Sequence, residues 1–357
     1  MKKALAILMI FALVASVAVA EVSIGAWGRG IFVPVANSGA SGEDSSSMVG
    51  VSWGDTQRIG FTIAGNSDNV GFVIDGNVDG QLNNDAAAFG AGDNQFIWVK
   101  PMDMVTIRMG NIYDDTLRGN AAFGAFNWVR SFASWEGEDV TFSRIGINRD
   151  VNGFEVAVQP MDALYAALFL YDLDNLSQNM LKRMQFALGY SIDGIGQIKG
   201  QVYMHGGTPD IDGVIEDNQT TVELAFNYTG MENLFVEAGF MMNTNKDADA
   251  DETKKLSVYA NYVVDAAKIH FMGIYNLKES DNQMQFGAGL DYDLGDGVGV
   301  AADVRFFDEK WTGGDSRITF FAGVTKGFSN GKIGAGVQVA SAADTGYAIP
   351  VVLEYWF

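Results

Sequence analysis

The 357-residue chain contains no cysteine, so no disulfide can staple it. It contains five prolines, few enough to leave long hydrogen-bond ladders unbroken. Histidine occurs twice, as His205 and His270, which leaves little material for a histidine-based metal site. Basic residues are scarce: 23 Lys and Arg against 44 Asp and Glu give a formal charge of −21. A nucleic-acid partner is excluded by that balance, because nothing basic is gathered to meet phosphates. The same deficit excludes a polybasic membrane-surface anchor. Past the first twenty residues no apolar run approaches the ~20 residues a transmembrane helix needs. What the chain has instead is glycine, 43 of 357 residues, and a hydrophobic content of 48% spread in alternation. Glycine at about 12% exceeds the usual ~7% and suits a structure rich in tight turns.

The N-terminus supplies a compartment. Met1-Lys2-Lys3 is a short positive region, Ala4 to Val17 is apolar but for Ser16, and Ala18-Val19-Ala20 has the small-x-small pattern of a signal-peptidase site. Residues 1–20 are therefore expected to be a cleaved signal peptide, and residues 21–357 a single domain. Removing twenty residues leaves 337 (357 − 20) and takes away two lysines and no acid, so the mature charge is −23.

That domain reads as strands. Val222, Leu224, Phe226 and Tyr228 alternate with Thr221, Glu223, Ala225 and Asn227. Met284, Phe286, Ala288, Leu290, Tyr292 and Leu294 are opposed by Gln285, Gly287, Gly289, Asp291 and Asp293. One face is apolar throughout while the other carries charge and glycine, the period-2 pattern of a wall between hydrocarbon and water. Aromatics such as Trp27, Trp98, Tyr113, Tyr171, Tyr262 and Trp356 gather near strand ends, where interfacial girdles form. Short Gly/Asp/Asn turns, among them Pro101-Met102-Asp103, Glu136-Gly137-Glu138, Asp193-Gly194-Ile195-Gly196 and Gly295-Asp296-Gly297, alternate with longer polar loops. Nine such turns imply 2 × 9 + 2 = 20 strands, within a range of sixteen to twenty. The expected class is an all-β, closed antiparallel transmembrane β-barrel with short periplasmic turns and longer extracellular loops. Connections are expected at 112–125 and 149–152 among others. Val99-Lys100-Pro101-Met102-Asp103 is echoed by Val158-Gln159-Pro160-Met161-Asp162, but no fixed period of a solenoid or propeller appears.

The last residues sharpen this. Ile349, Val351, Leu353, Tyr355 and Phe357 alternate with Pro350, Val352, Glu354 and Trp356. The ending resembles the C-terminal strand of bacterial outer-membrane proteins, in which a final Phe is what the barrel-assembly machinery recognises. By that resemblance Tyr355 and Phe357 form an assembly signal, and the closing strand pairs with the first, around Val22 to Val33.

The loop Tyr113-Asp114-Asp115-Thr116-Leu117-Arg118-Gly119-Asn120-Ala121-Ala122-Phe123-Gly124-Ala125 follows a strand that puts Arg108 on its polar face. Here the chain resembles general porins, whose loop after strand five folds inward and narrows the pore. The resemblance implies that Asp114 and Asp115, with Arg118, line a constriction. Opposite them Arg58, Arg108, Arg144, Lys199, Arg305, Arg317 and Lys332 would supply basic groups. It also implies an outer-membrane location, contact with outer-membrane lipid, passage of ions and small hydrophilic solutes, and a homotrimer. The loop lacks the longer acidic motif common in such porins. Carboxylates expected on the water side, Asp75, Asp79, Glu223, Glu237, Asp291, Asp293, Asp303 and Glu354, favour weak cation preference.

No catalytic motif emerges. Neither histidine has a Ser partner in sequence. Asp247-Ala248-Asp249-Ala250-Asp251-Glu252 lacks the central Gly of a calcium loop, and Val258 stands where its bidentate Glu belongs. Gly25-Ala26-Trp27-Gly28-Arg29-Gly30 has no helix after it, so it is no dinucleotide site. No enzymatic activity, cofactor or metal is expected. The competing function is a surface-exposed structural or adhesive outer-membrane protein, although short loops favour a pore.

Overall fold

In the computed structural model, residues 21–37, 45–49, 57–80, 88–117, 148–171, 182–206, 218–244, 253–277, 284–308, 316–341 and 345–356 are described. They form strands and the turns between them. The first segments are β1 (Glu21–Asn37), β2 (Ser45–Val49), β3 (Gln57–Asn66), β4 (Val70–Gly80), β5 (Ala88–Met102) and β6 (Val105–Tyr113). Next come β7 (Asn148–Met161), β8 (Leu164–Tyr171), β9 (Arg183–Ile192), β10 (Gly196–Gly206), β11 (Asn218–Met231), β12 (Leu234–Thr244) and β13 (Thr253–Val264). The rest are β14 (Ala267–Asn276), β15 (Met284–Gly295), β16 (Val298–Phe307), β17 (Arg317–Phe328), β18 (Gly331–Ser341), β19 (Thr345–Ala348) and β20 (Val351–Trp356).

From β3 to β18 each strand pairs antiparallel with the next, and β1 pairs with β3 over Glu21 to Arg29. The ring closes where β1 meets β20 from Trp27↔Trp356 to Phe32↔Val351. The expected pairing of the last strand with the first is thus present. Closure leaves no unpaired edge in hydrocarbon, the condition a spanning sheet must meet. Two segments do not count as separate wall strands. β19 and β20 are one strand interrupted at Ile349-Pro350, where proline removes a ladder donor. β2 lies against β1 from Ile31 to Ala36, in line with β3, and is an extra strand. The wall therefore has 20 − 2 = 18 strands.

The difference from the expected twenty has one source. β6 pairs directly with β7, Val105↔Val158 to Tyr113↔Asn148, so no hairpin stands between them. The expected turn Glu136-Gly137-Glu138 falls outside the described residues, and the expected connection at 149–152 is part of continuous strand β7. Alternation alone cannot say whether a segment joins the wall, because its period is the same wherever a strand sits.

Eight short turns join consecutive wall strands, and their chemistry is local. At Asp296-Gly297 both residues have positive φ, 50° and 74°, the mirror-image turn that matches the twist of a two-residue hairpin. The echoed Val-x-Pro-Met-Asp segments are one device used twice. Each places a register shift at its Pro just before the turn, between Val99 and Met102 and between Val158 and Met161. Proline sits where the ladder is already broken.

Burial is inverted relative to a water-soluble sheet. Ile97, Met109, Leu168, Phe186, Leu224, Phe271, Phe286, Leu290, Val304 and Phe320 are exposed, while Glu155, Lys199, Glu237, His270, Gln285 and Arg305 are buried. These two sets occupy alternate positions along the same strands, so the apolar set faces outward and the polar set faces the lumen. The faces are those the alternation assigns. Two apolar clusters also lie inside: Ile112, Leu117, Ala167, Phe169 and Tyr171 with their neighbours, and Ile31, Val33, Phe321 and Val352 with theirs.

Candidate functional site

The site is built around Arg108. β6 is the fifth wall strand, and Arg108 on its lumen face stands directly opposite Glu155 of β7. The guanidinium bonds the Glu155 carboxylate, reaches Asp114 Oδ2 at 3.2 Å, and lies 5.8 Å from the Phe96 ring centroid. Two carboxylates thus share one cation in a buried setting, where charge pairing has to offset lost hydration.

Asp114 is placed by the turn that begins the next connection. Its Oδ1 accepts from the Thr116 backbone N–H at 3.0 Å and from the Thr116 hydroxyl at 2.5 Å. This is the Asx turn short polar side chains favour where a strand ends. Its Oδ2 accepts from the buried Tyr165 hydroxyl on β8. One residue beyond Thr116, Leu117 is buried against β9, where a Cβ on Gly189 would collide with its side chain. Residues 114–117 therefore turn inward, held by a carboxylate at one point and a leucine at the next. Asp115 and Thr116 stay exposed.

Three of the other expected basic residues, Lys199, Arg305 and Lys332, are matched locally. Lys199 on β10 meets Glu237 on β12 at 3.1 Å, with neither side chain exposed. Arg305 and Asp303, two apart on β16, pair at 3.0 Å. Arg29 and Lys332 both reach Glu354, at 2.6 and 2.5 Å. Arg317, at the start of β17 opposite Phe307, is partly exposed. So Arg108 is joined to Asp114, while Lys199, Arg305 and Lys332 hold carboxylates of the wall. Arg118, Arg144 and Phe357 fall outside the described residues, and so does the side chain of Arg58, which stands opposite Arg29 and Asp79. Tyr355 is exposed on the outer face of β20.

Sequence reasoning missed Glu155 and Tyr165. Alternation in Phe154-Glu155-Val156-Ala157 could have marked Glu155 as lumen-facing, but only register shows that it opposes Arg108. His270 is a buried lumen residue whose ring lies 2.8 Å from the Tyr259 hydroxyl and 2.9 Å from Asp291. Its ring nitrogens are both engaged in the wall.

Between the Asp114 turn and the short-turn rim lies a cavity of about 300 Å³. Trp98, Lys100 and Thr106 line it from β5 and β6, Asp103 and Met104 from their turn, and Gln159 from β7. Arg108, Thr116 and Tyr165 line it as well.

A closed antiparallel wall with an apolar exterior and a charged interior defines a membrane-spanning β-barrel, here with residues 114–117 turned inward after its fifth strand. The family model for the Gram-negative porin matches residues 4–348. The chain belongs to that family, which makes it a channel-forming barrel of the bacterial outer membrane rather than an enzyme. Among solved structures, the loop-deleted OmpT of Vibrio cholerae, an outer membrane protein, shares 14% identity at a TM-score of 0.50, covering 95% of this chain and 99% of that one. Two variants of the Rh. blastica porin are 16% identical, with TM-scores of 0.52 and 0.53, each covering 94% of this chain and 100% of that one. At such identity the likeness concerns the fold. No match was found among curated protein sequences.

Proposed function

We propose that the chain is a water-filled diffusion pore for ions and small hydrophilic solutes, weakly cation-selective, and narrowed where Asp114–Leu117 turn inward. The observation that carries the reading is the Arg108 cluster: two carboxylates on one guanidinium give it a formal charge of −1 at the inward loop. Elsewhere the Lys199–Glu237 and Arg305–Asp303 pairs cancel, and Arg29 and Lys332 on Glu354 leave one positive charge, so fixed charge gives only a small preference. The chain's charge of −21 tilts the same way. Asp115, exposed beside the cluster, is the acid best placed to meet passing ions, with Asp114 its anchor. The remaining family traits complete the reading: export by residues 1–20 with cleavage before Glu21, assembly signalled by Tyr355 and Phe357, and association as a homotrimer.

Reversal potentials of single channels in a salt gradient test this. A modest cation preference is expected, and clear anion selectivity overturns it. If the refolded mature chain gives no discrete openings in a planar bilayer, the surface-exposed structural or adhesive role takes its place.

A further inference from the structure

We propose that the cavity at the short-turn end of the lumen is a subsite for a zwitterionic solute of amino-acid size. This rests on the pore reading and names a solute class for it. The cavity's volume, about 300 Å³, is at the lower end of small-molecule sites and suits a single amino acid better than an oligomer.

Its charges differ from those of the paired bases on the wall. Lys199, Arg305 and Arg108 are all committed to carboxylates. Among the described residues Lys100 has no ion pair; its ammonium sits 5.6 Å from the Trp98 ring centroid, held by the ring face. Asp103, in the two-residue turn that follows, likewise pairs with no described residue. Both are exposed and both line the same cavity. One cation and one anion, neither paired with a described residue, therefore border a space flanked by Trp98 and Met104.

The ligand chemistry follows from charge matching. A solute with a single charge satisfies one of the two groups and is opposed by the other. An uncharged polyol uses neither. A solute with a carboxylate for Lys100 and an ammonium for Asp103 uses both, and lays its side chain on Trp98 and Met104. The Thr106 hydroxyl and the Gln159 amide supply further polar contacts. Being neutral overall, such a solute also escapes the repulsion that a chain of charge −21 exerts on free anions.

Calorimetric titration of the refolded mature chain in detergent with L-methionine reads the subsite without requiring conduction. N-acetyl-L-methionine lacks the ammonium and L-methionine methyl ester lacks the carboxylate, so the analogues test each charge without altering the protein. Saturable binding of L-methionine is expected, weakened at least tenfold for either analogue and at least tenfold for L-methionine in Lys100→Gln and in Asp103→Asn. Absence of saturable binding overturns the proposal. So does equal affinity for all three ligands, or loss in only one of the two variants. Planar-bilayer recordings on the same samples separate the two readings. Openings without binding overturn the subsite alone, and binding without openings supports the subsite while overturning the pore.

Discussion

Asp114→Ala tests how the inward loop is held. In the folded chain its carboxylate accepts from Tyr165, from both Thr116 donors and from Arg108. Thr116 is exposed and can turn to water, and Arg108 retains Glu155. The buried Tyr165 hydroxyl and one guanidinium N–H lose their acceptor. Leaving a buried donor unsatisfied costs ~1–3 kcal/mol, so the hold should weaken by about 2–3 kcal/mol. The other anchor is Leu117, whose burial contributes a further ~1.5–3 kcal/mol. Losing Asp114 therefore removes about half the hold. At ~1.4 kcal/mol per factor of ten, detached excursions of the loop should become about thirty- to hundredfold more frequent. Single-channel recordings at fixed voltage read this as a rise in brief current fluctuations, at least tenfold over the native chain. Tyr165→Phe removes one donor and leaves the carboxylate its other partners, so it should give a smaller rise. If Asp114→Ala channels match native noise and conductance, Asp114 does not anchor the loop.

Lys199→Met leaves Glu237 buried without its cation and should lower stability by ~3–5 kcal/mol in urea titrations of the detergent-folded barrel. Pairing it with Glu237→Leu should recover most of that loss, whereas equal losses in single and double variants would count against the pair. Leu290→Arg puts a charge on the lipid face of β15 and should cost ~2–4 kcal/mol in liposome refolding if it lies near the bilayer midplane. Gln285→Ala, on the lumen face of the same strand, should cost clearly less, and the reverse order would contradict the assignment of faces. Deleting Phe357 should lower the folded fraction in the outer membrane at unchanged synthesis, read by the gel-mobility shift of folded barrels, and undiminished assembly would remove it as a signal.

The wall was legible because its physics is local. Met284 to Leu294 declare their two faces through alternation, which depends on nothing outside the strand. Turns such as Asp296-Gly297 declare themselves through residues that tolerate positive φ. The strand total was not legible to the same degree. Whether a segment after Tyr113 enters the wall depends on β6 choosing β7 as its neighbour, a contact between residues some fifty positions apart, as Arg108 and Glu155 are.

The same limit explains the site. Arg108 and Asp114 were visible as a lumen base and a loop acid, six residues apart, and the chain brings them together. Lys199 and Arg305 looked equivalent to Arg108, since all three occupy lumen positions on strands. What separates them is register. Lys199 reaches across β11 to Glu237, Arg305 folds onto Asp303 of its own strand, and Arg108 alone of the three stands beside residues 114–117 where they turn inward. A buried base in a low-dielectric wall takes a carboxylate within reach, because an unpaired charge there costs several kcal/mol. A lumen lined by such pairs presents little net field, and what field remains comes from clusters whose charges do not balance. On the pore reading proposed above, selectivity would be set by local imbalances, the second carboxylate on Arg108 and the second cation on Glu354, more than by the sum of acids along the wall.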